Sequence, residues 1–360
     1  ALARTTYLDL YKGLYQIQHL DWKNGRVNYD QNFERPVPGM DFNHLAFSDM
    51  AVKADSFYFC DSRIDVKIQE AKLKEKSGLK INQLYGRFVM DSVKMQLPDL
   101  YLRTPVSNLQ ASVDFDMNAF AEKNPGKIMA RVNGALGRSD LFLLIGDALP
   151  KQMKNRWPYY PMKLEGSFKG NMQRASFSGV KLTLPTVFQL STDGTIANLM
   201  DMDHLKANVD LQARTYNLGM VTAKLDPSLT QEIRIPSGIS INGNVKVDGT
   251  KYATRLALTE GKGSMKVDAT VDARTRKDGS LDMNSLAYQA KLQASNIQAR
   301  HFLPHQDLYT FTGAVEAKGV GTDFLSPRTR LMAKVKVNQV HYDKYHLHDV
   351  LADAQVANGK

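Results

Sequence analysis

The stretch LKANVDLQA, residues Leu205–Ala213, decides the fold. Leu205, Ala207, Val209, Leu211 and Ala213 share one phase, and Lys206, Asn208, Asp210 and Gln212 share the other. Successive side chains of an extended chain point to opposite faces, so this is a strand with one greasy side and one wet side. The same period of two recurs at Leu109, Ala111, Val113, Phe115 and Met117, and at Met265, Val267, Ala269, Val271 and Ala273. It returns at Leu286, Tyr288, Ala290, Leu292 and Ala294, and at Leu331, Ala333, Val335 and Val337. Strands with a single apolar face belong to antiparallel sheets, so the expected fold class is all-β dominated.

Around these strands a larger unit repeats. A short helix-like stretch ending near a proline precedes an alternating strand with two glycines. The copies are Ser139–Pro150 with MKLEGSFKG at Met162–Gly170, Asn217–Pro227 with ISINGNVKVDG at Ile239–Gly249, and Asn296–Pro304 with YTFTGAVEAKG at Tyr309–Gly319. The leading glycines Gly166, Gly243 and Gly313 stand 77 and 70 residues apart, and Gly86 stands 80 before the first. Ser77–Asn82 (SGLKIN) echoes in Ser237–Asn242 (SGISIN), and LYLRTPV at Leu100 in LTLPTVF at Leu182. A fixed period marks an extended array whose units bury their apolar faces by stacking on neighbours. Approximate repeats are 1–76, 77–150, 151–227, 228–304 and 305–360. The nearest linker candidates, Glu34–Gly39 and Lys151–Pro161, are short, so one elongated array is expected. The pattern is under way at the first residues and still alternating at the last, as in a segment of a longer protein.

Composition narrows the function. The 360 residues are 43% apolar, enough for a sizeable core. No run reaches the ~18 apolar residues of a membrane helix, and no signal-peptide core opens the chain. The net charge of +10, from 47 basic and 37 acidic residues, is spread along the wet phase of strands. No basic cluster interleaved with aromatics forms, which argues against nucleic acid as a partner. Cys60, the only cysteine, lies in the apolar run SFYFCD and reads as a small buried hydrophobe.

Catalytic and metal signatures are missing from the motifs. His346 and His348 share a strand phase, but His341 falls on the opposite one, and no cysteine or in-phase carboxylate completes a zinc set. His301 and His305 have helical spacing, yet Pro304 ends the helix between them. Gly319-Val320-Gly321 lacks the third glycine and the following helix of a dinucleotide loop, and reads as a turn. GxSxG, Walker and HExxH patterns do not occur. No catalytic residue, cofactor or metal ligand is therefore assigned.

What covers the greasy face is the open question. The best helix, Ser139–Leu149, has Ser139 as N-cap and Leu141, Leu144, Ile145 and Ala148 on one face. One short helix per ~75 residues covers only a fraction of such a sheet. Either the sheet closes on itself around a dry core, or it curls into an open trough. Alanine alternates with valine and leucine at many inward positions, which suits a smooth trough better than a tightly filled sandwich.

The order of short helix, proline, then strand with paired glycines resembles the repeat of AsmA-like proteins, above all the TamB (translocation and assembly module) branch of Bacteroidetes. The segments that carry the resemblance are Leu73–Gly86, Leu100–Phe115, Tyr309–Phe324 and the closing VNQVHYDKYHLHDVLADAQVANG with Tyr342 and Tyr345. It covers essentially the whole chain through strand-and-turn patterns, without a catalytic signature. It implies a U-shaped "β-taco" groove in the periplasm, held to the inner membrane by a helix that these residues lack and reaching toward an Omp85-type outer-membrane partner. It also implies transfer of phospholipid between membranes and support of outer-membrane assembly. The inward phase then names the groove lining, in contact with phospholipid acyl chains: Val113, Phe115, Val209, Leu211, Val267, Val271, Leu286, Leu292, Val335 and Val337. The alternative is a structural or adhesive β-repeat module with a closed core. Exposed aromatics at strand edges would favour it, and they occur only around Trp157-Pro158-Tyr159-Tyr160.

Overall fold

The computed structural model describes residues 14–30, 35–37, 39–41, 43–146, 149, 151–217, 234–274, 282–323 and 326–357. It is all-β and antiparallel, and forms two compact units, Ala1–Ala148 with Pro161–Asn171, and Leu149–Tyr160 with Met172–Lys360.

The first unit is a meander of β1 (Leu14–Asp30), β2 (His44–Cys60), β3 (Arg63–Glu75), β4 (Lys80–Met90), β5 (Lys94–Arg103), β6 (Asn108–Asp116), β7 (Ile128–Leu136) and β8 (Met162–Gly170), with helix α1 (Arg138–Ile145) after β7. Each strand pairs antiparallel with the next. Register shifts recur from β1 to β6. In β2 they fall at Ser48/Ala51, Lys53/Ala54 and Asp55/Tyr58, the first and last at Asp49 and Ser56, whose φ values of 50° and 56° lie in the left-handed region. Each bulge adds an unpaired residue and increases the local twist.

The second unit begins with α2 (Lys151–Arg156), inside one of the stretches read as a linker candidate. It continues through β9 (Arg174–Leu184), β10 (Phe188–Ala197), a 3-10 turn at Met202–His204, β11 (Lys206–Thr215), β12 (Ile239–Asp248), β13 (Lys251–Glu260), β14 (Gly263–Asp272), β15 (Ala287–Gln298), helix α3 (Ala299–Phe302), β16 (Leu308–Val320), β17 (Arg330–Tyr342) and β18 (Tyr345–Ala357). Pairing again runs in chain order, and from β10 to β15 the registers are unbroken. Among the described residues neither meander closes into a barrel.

The helices differ from their sequence reading. α1 starts at Arg138, one residue before Ser139, behind Gly137, which makes no side-chain cap. Of the expected face only Leu141 is buried. Leu144 and Ile145 are exposed, and Ala148 lies outside the described residues. The helix expected after Asn217 also lies outside them. In the third copy Asn296–Gln298 remain strand, so the helix shrinks to one turn.

Full burial gathers at strand ends. Leu184 and Val187, at the β9–β10 turn, are buried together with Thr215 and Ile239, whose backbones meet through Gly238 N–H donating to the Thr215 carbonyl. Ala294, Ile297, Ala299 and Val340 are buried where α3 follows β15. In the first unit Thr104, Ser107, Asp140 and Leu141 play this part beside α1. The two SG-I-N echoes both open a strand through a left-handed glycine, Gly78 at φ 103° and Gly238 at φ 79°. Cys60 is half-buried rather than a core thiol.

Candidate functional site

The β9–β18 registers turn the alternation into continuous rows across the sheet. One row runs Val180, Thr192, Leu211, Gly243, Leu256, Val267, Leu292, Val315, Val335, Ala352. The next runs Leu182, Leu190, Ala213, Ile241, Leu258, Met265, Ala294, Gly313, Val337, Val350. On the other side Phe177, Gly194, Val209, Val245 and Thr254 lead into Ala269, Ala290, Ala317, Ala333 and Ala354. A fourth carries Val247, Tyr252, Val271, Tyr288, Gly319 and Leu331. At ~4.8 Å per strand, ten strands make an apolar face about 43 Å long.

Most of these residues are only partly buried. All ten side chains expected to line the greasy face are half-exposed, and within each unit strands pack mainly on their chain neighbours. The structure brings Leu211, Val267, Leu292 and Val335 into one row. Val209, Val271 and Val337 fall in three others, and Leu286 sits just ahead of β15. Val113 and Phe115 belong to the first unit, where Val113 lies between Leu97 and Ala130 and Phe115 between Met95 and Ile128.

Near one end of β12–β16 lies an open hollow of about 460 Å³ lined by Val247, Tyr252, Val271, Ala287, Tyr288 and Val320 among others. That volume is within the range of small-ligand pockets. Tyr252 and Tyr288 were absent from the expected lining. The alternation of Tyr252, Thr254, Leu256 and Leu258 in YATRLAL was the signal that would have found Tyr252. Burial pushes the Tyr288 phenol above its ordinary value. Its ring lies across Gly319, where an added Cβ would stand 2.6 Å from the phenol oxygen.

Three of the leading glycines, Gly86, Gly243 and Gly313, have a steric reason. A Cβ on Gly243 would come 2.0 Å from the Arg255 carbonyl oxygen, on Gly313 2.3 Å from that of Lys336, and on Gly86 2.6 Å from that of Asp99. Glycine here admits a close approach of neighbouring backbones.

The opposite face is wet and self-neutralising. Arg255, Asp268, Lys291, Glu316, Lys334 and Asp353 face one another in turn across six strands, alternating in sign. Arg255 Nε donates to Asp268 at 3.1 Å and Lys291 Nζ to Glu316 at 3.1 Å. Opposite charges in direct cross-strand positions stabilise a sheet, while exposure keeps each pair weak.

Two sequence readings are corrected. The Asp343-Lys344 turn sets His341 directly opposite His346, so the two share a face rather than opposing phases. Trp157 is buried while Tyr159 and Tyr160 are exposed, and exposed aromatics are not confined to that segment, since Trp22, Tyr29, Tyr85, Tyr252, Tyr342 and Tyr345 on strands are exposed too. Among the described residues no group of three potential ligands stands within reach of one metal ion, and no helix is long and apolar enough to cross a membrane. No family model matches the chain, and no curated protein or solved structure matches it.

Proposed function

We propose that this chain is a stretch of a lipid-carrying bridge, whose apolar sheet face receives the acyl chains of phospholipid while headgroups stay in solvent. The observation that carries the reading is the set of apolar rows, three crossing β9–β18 and a fourth β12–β17, most of whose side chains stay partly exposed. Each CH₂ of an acyl chain that leaves water against such a surface gains about 0.8 kcal/mol. The gain is non-directional, so a row of small aliphatic residues offers burial at every step without a deep well to hold the lipid. The all-alanine run from Ala269 to Ala354 leaves that lane smooth.

On this reading the sheet curls into a U-shaped groove, as the AsmA-like and TamB resemblance implies. The chain would then work in the periplasm, anchored to the inner membrane through another part of the protein. It would supply lipid toward an Omp85-type partner and support outer-membrane assembly. No catalytic step is required of it.

The test is native mass spectrometry of the detergent-free chain, followed by organic extraction. Phospholipid near or above one molecule per chain, lost in folded Val209→Arg and Val271→Glu variants, is the expected result. A folded parent without lipid, together with variants that unfold, would overturn the proposal in favour of a closed-core structural or adhesive module.

A further inference from the structure

Another open hollow, of about 560 Å³, lies over β1–β4 of the first unit and is lined by polar side chains alone. Arg63, Asp65 and Lys67 supply it from the wet phase of β3, opposite to Ile64, Val66 and Ile68. The registers bring the rest together: Gln16 faces Tyr58, Tyr58 faces Asp65, and Lys67 faces Arg87. Ser56 joins them through the β2 bulge at Asp55/Tyr58.

The lining holds three cations, Arg63, Lys67 and Arg87, against the single acid Asp65. Both oxygens of that acid are taken, since Arg87 Nε donates to Oδ1 at 3.0 Å and Nη2 to Oδ2 at 2.7 Å. Arg63 stands back from it at 3.8 Å, and Lys67 forms no hydrogen bond or ion pair among the described residues. The acids around the hollow are occupied as well. Asp55, across the strand pair from Lys67, holds His19 at 2.7 Å and Gln69. Asp91 accepts from the Val93 and Lys94 N–H groups, Asp99 accepts from the Arg87 N–H, and the Cys60 thiol donates to Asp61 at 3.8 Å. The hollow therefore offers donors in excess: two guanidinium groups, an ammonium, the Ser56 hydroxyl and the Gln16 amide, with no free carboxylate to answer them.

We propose that this hollow binds a phosphate group, carried either by a soluble phosphomonoester or by a phospholipid headgroup. A guanidinium meets phosphate oxygens through paired N–H donors, and an ammonium adds a point charge. Phosphate has more acceptor oxygens than a carboxylate and so can engage several of these donors at once. Asp65 already fixes the Arg87 guanidinium, which lowers the ordering cost of binding. Arg63 and Arg87 are about half exposed, so each contact is weak and binding depends on their convergence. The site lies on the wet phase and does not involve the apolar rows.

The test is calorimetric titration of the chain with inorganic phosphate, in a phosphate-free chloride buffer at neutral pH and low salt, while circular dichroism follows the fold. One saturable site is expected, weakening as salt rises. Arg63→Gln and Lys67→Gln should each weaken it about fivefold, and the double variant should abolish it. Lys251→Gln, in the second unit, should leave it unchanged. Two soluble probes separate the sources. Tighter binding of glycerol 3-phosphate than of glycerophosphoglycerol supports the site with a free phosphomonoester as its ligand, and the reverse order supports it with a headgroup diester. Absence of saturable phosphate binding by the folded parent, or binding that survives the double variant, overturns the site. Neither result bears on lipid carriage.

Discussion

Thr104 and Asp140 meet across 36 residues of chain, the threonine hydroxyl donating to the buried carboxylate at 2.5 Å. Ser107 donates to the same carboxylate oxygen at 2.5 Å, and the Gly137 N–H donates to Ser107 Oγ at 2.8 Å. One acid in the first turn of α1 thus fastens the helix to the turn that follows β5. Removing it strands two buried hydroxyls. Asp140→Ala should therefore destabilise the first unit by about 1–3 kcal/mol, measured by urea denaturation. An unchanged midpoint would mean that the contacts are not made in solution.

Asp65 takes both guanidinium contacts of Arg87, at 3.0 and 2.7 Å. The hydrogen bonds from Arg87 hold its carboxyl below the ordinary value of 3.8. Because the folded pKa is depressed, the contribution is fully present above the unfolded value and is lost as pH falls through the folded one. Asp65→Asn should lower stability at neutral pH. Its deficit relative to the parent should shrink once pH drops below 3.8, and a deficit constant through that range would contradict the assignment.

Gly243 faces the Arg255 carbonyl with no room for a side chain. Gly243→Ala should force β12 from β13 and destabilise by about 1–3 kcal/mol, the range of overpacking. Denaturant midpoints settle it, with loss of amide-exchange protection in β12 and β13 as the local sign.

Gly319 makes space for the Tyr288 ring. Gly319→Val should expel that ring toward solvent, returning its phenol toward the ordinary value of 10.0. Spectrophotometric titration against a Tyr288→Phe control would read the change. An unaltered titration would show that the ring does not rest on the glycine.

Val209 is half-exposed in its row. Val209→Arg should cost under about 2 kcal/mol, against more than about 4 kcal/mol for an unpaired charge forced into a closed core. Thermal and urea unfolding together distinguish the two values.

Much of this architecture is legible in the residues, and the reason is local. A strand presents side chains with a period of two whatever its neighbours do, so the phase of Val209, Val267 and Val335 follows from their spacing alone. The turn residues are similarly local: Gly78 and Gly238 open β4 and β12 in matching conformations. Register is not local. Only pairing could reveal that Leu211, Val267, Leu292 and Val335 share a row, or that Tyr252 and Tyr288 converge on one hollow.

The sequence by itself determined the strands, their wet and greasy phases and the repeated glycines, because each depends on neighbours along the chain. Tertiary structure decided where α1 begins, since Asp140 is anchored by residues 36 and 33 positions away rather than capped by Ser139. It decided that Gly243 must lack a side chain, because the clashing carbonyl belongs to another strand. It also set His341 against His346, since an antiparallel hairpin pairs residues by their distance from the turn and not by their parity in the chain.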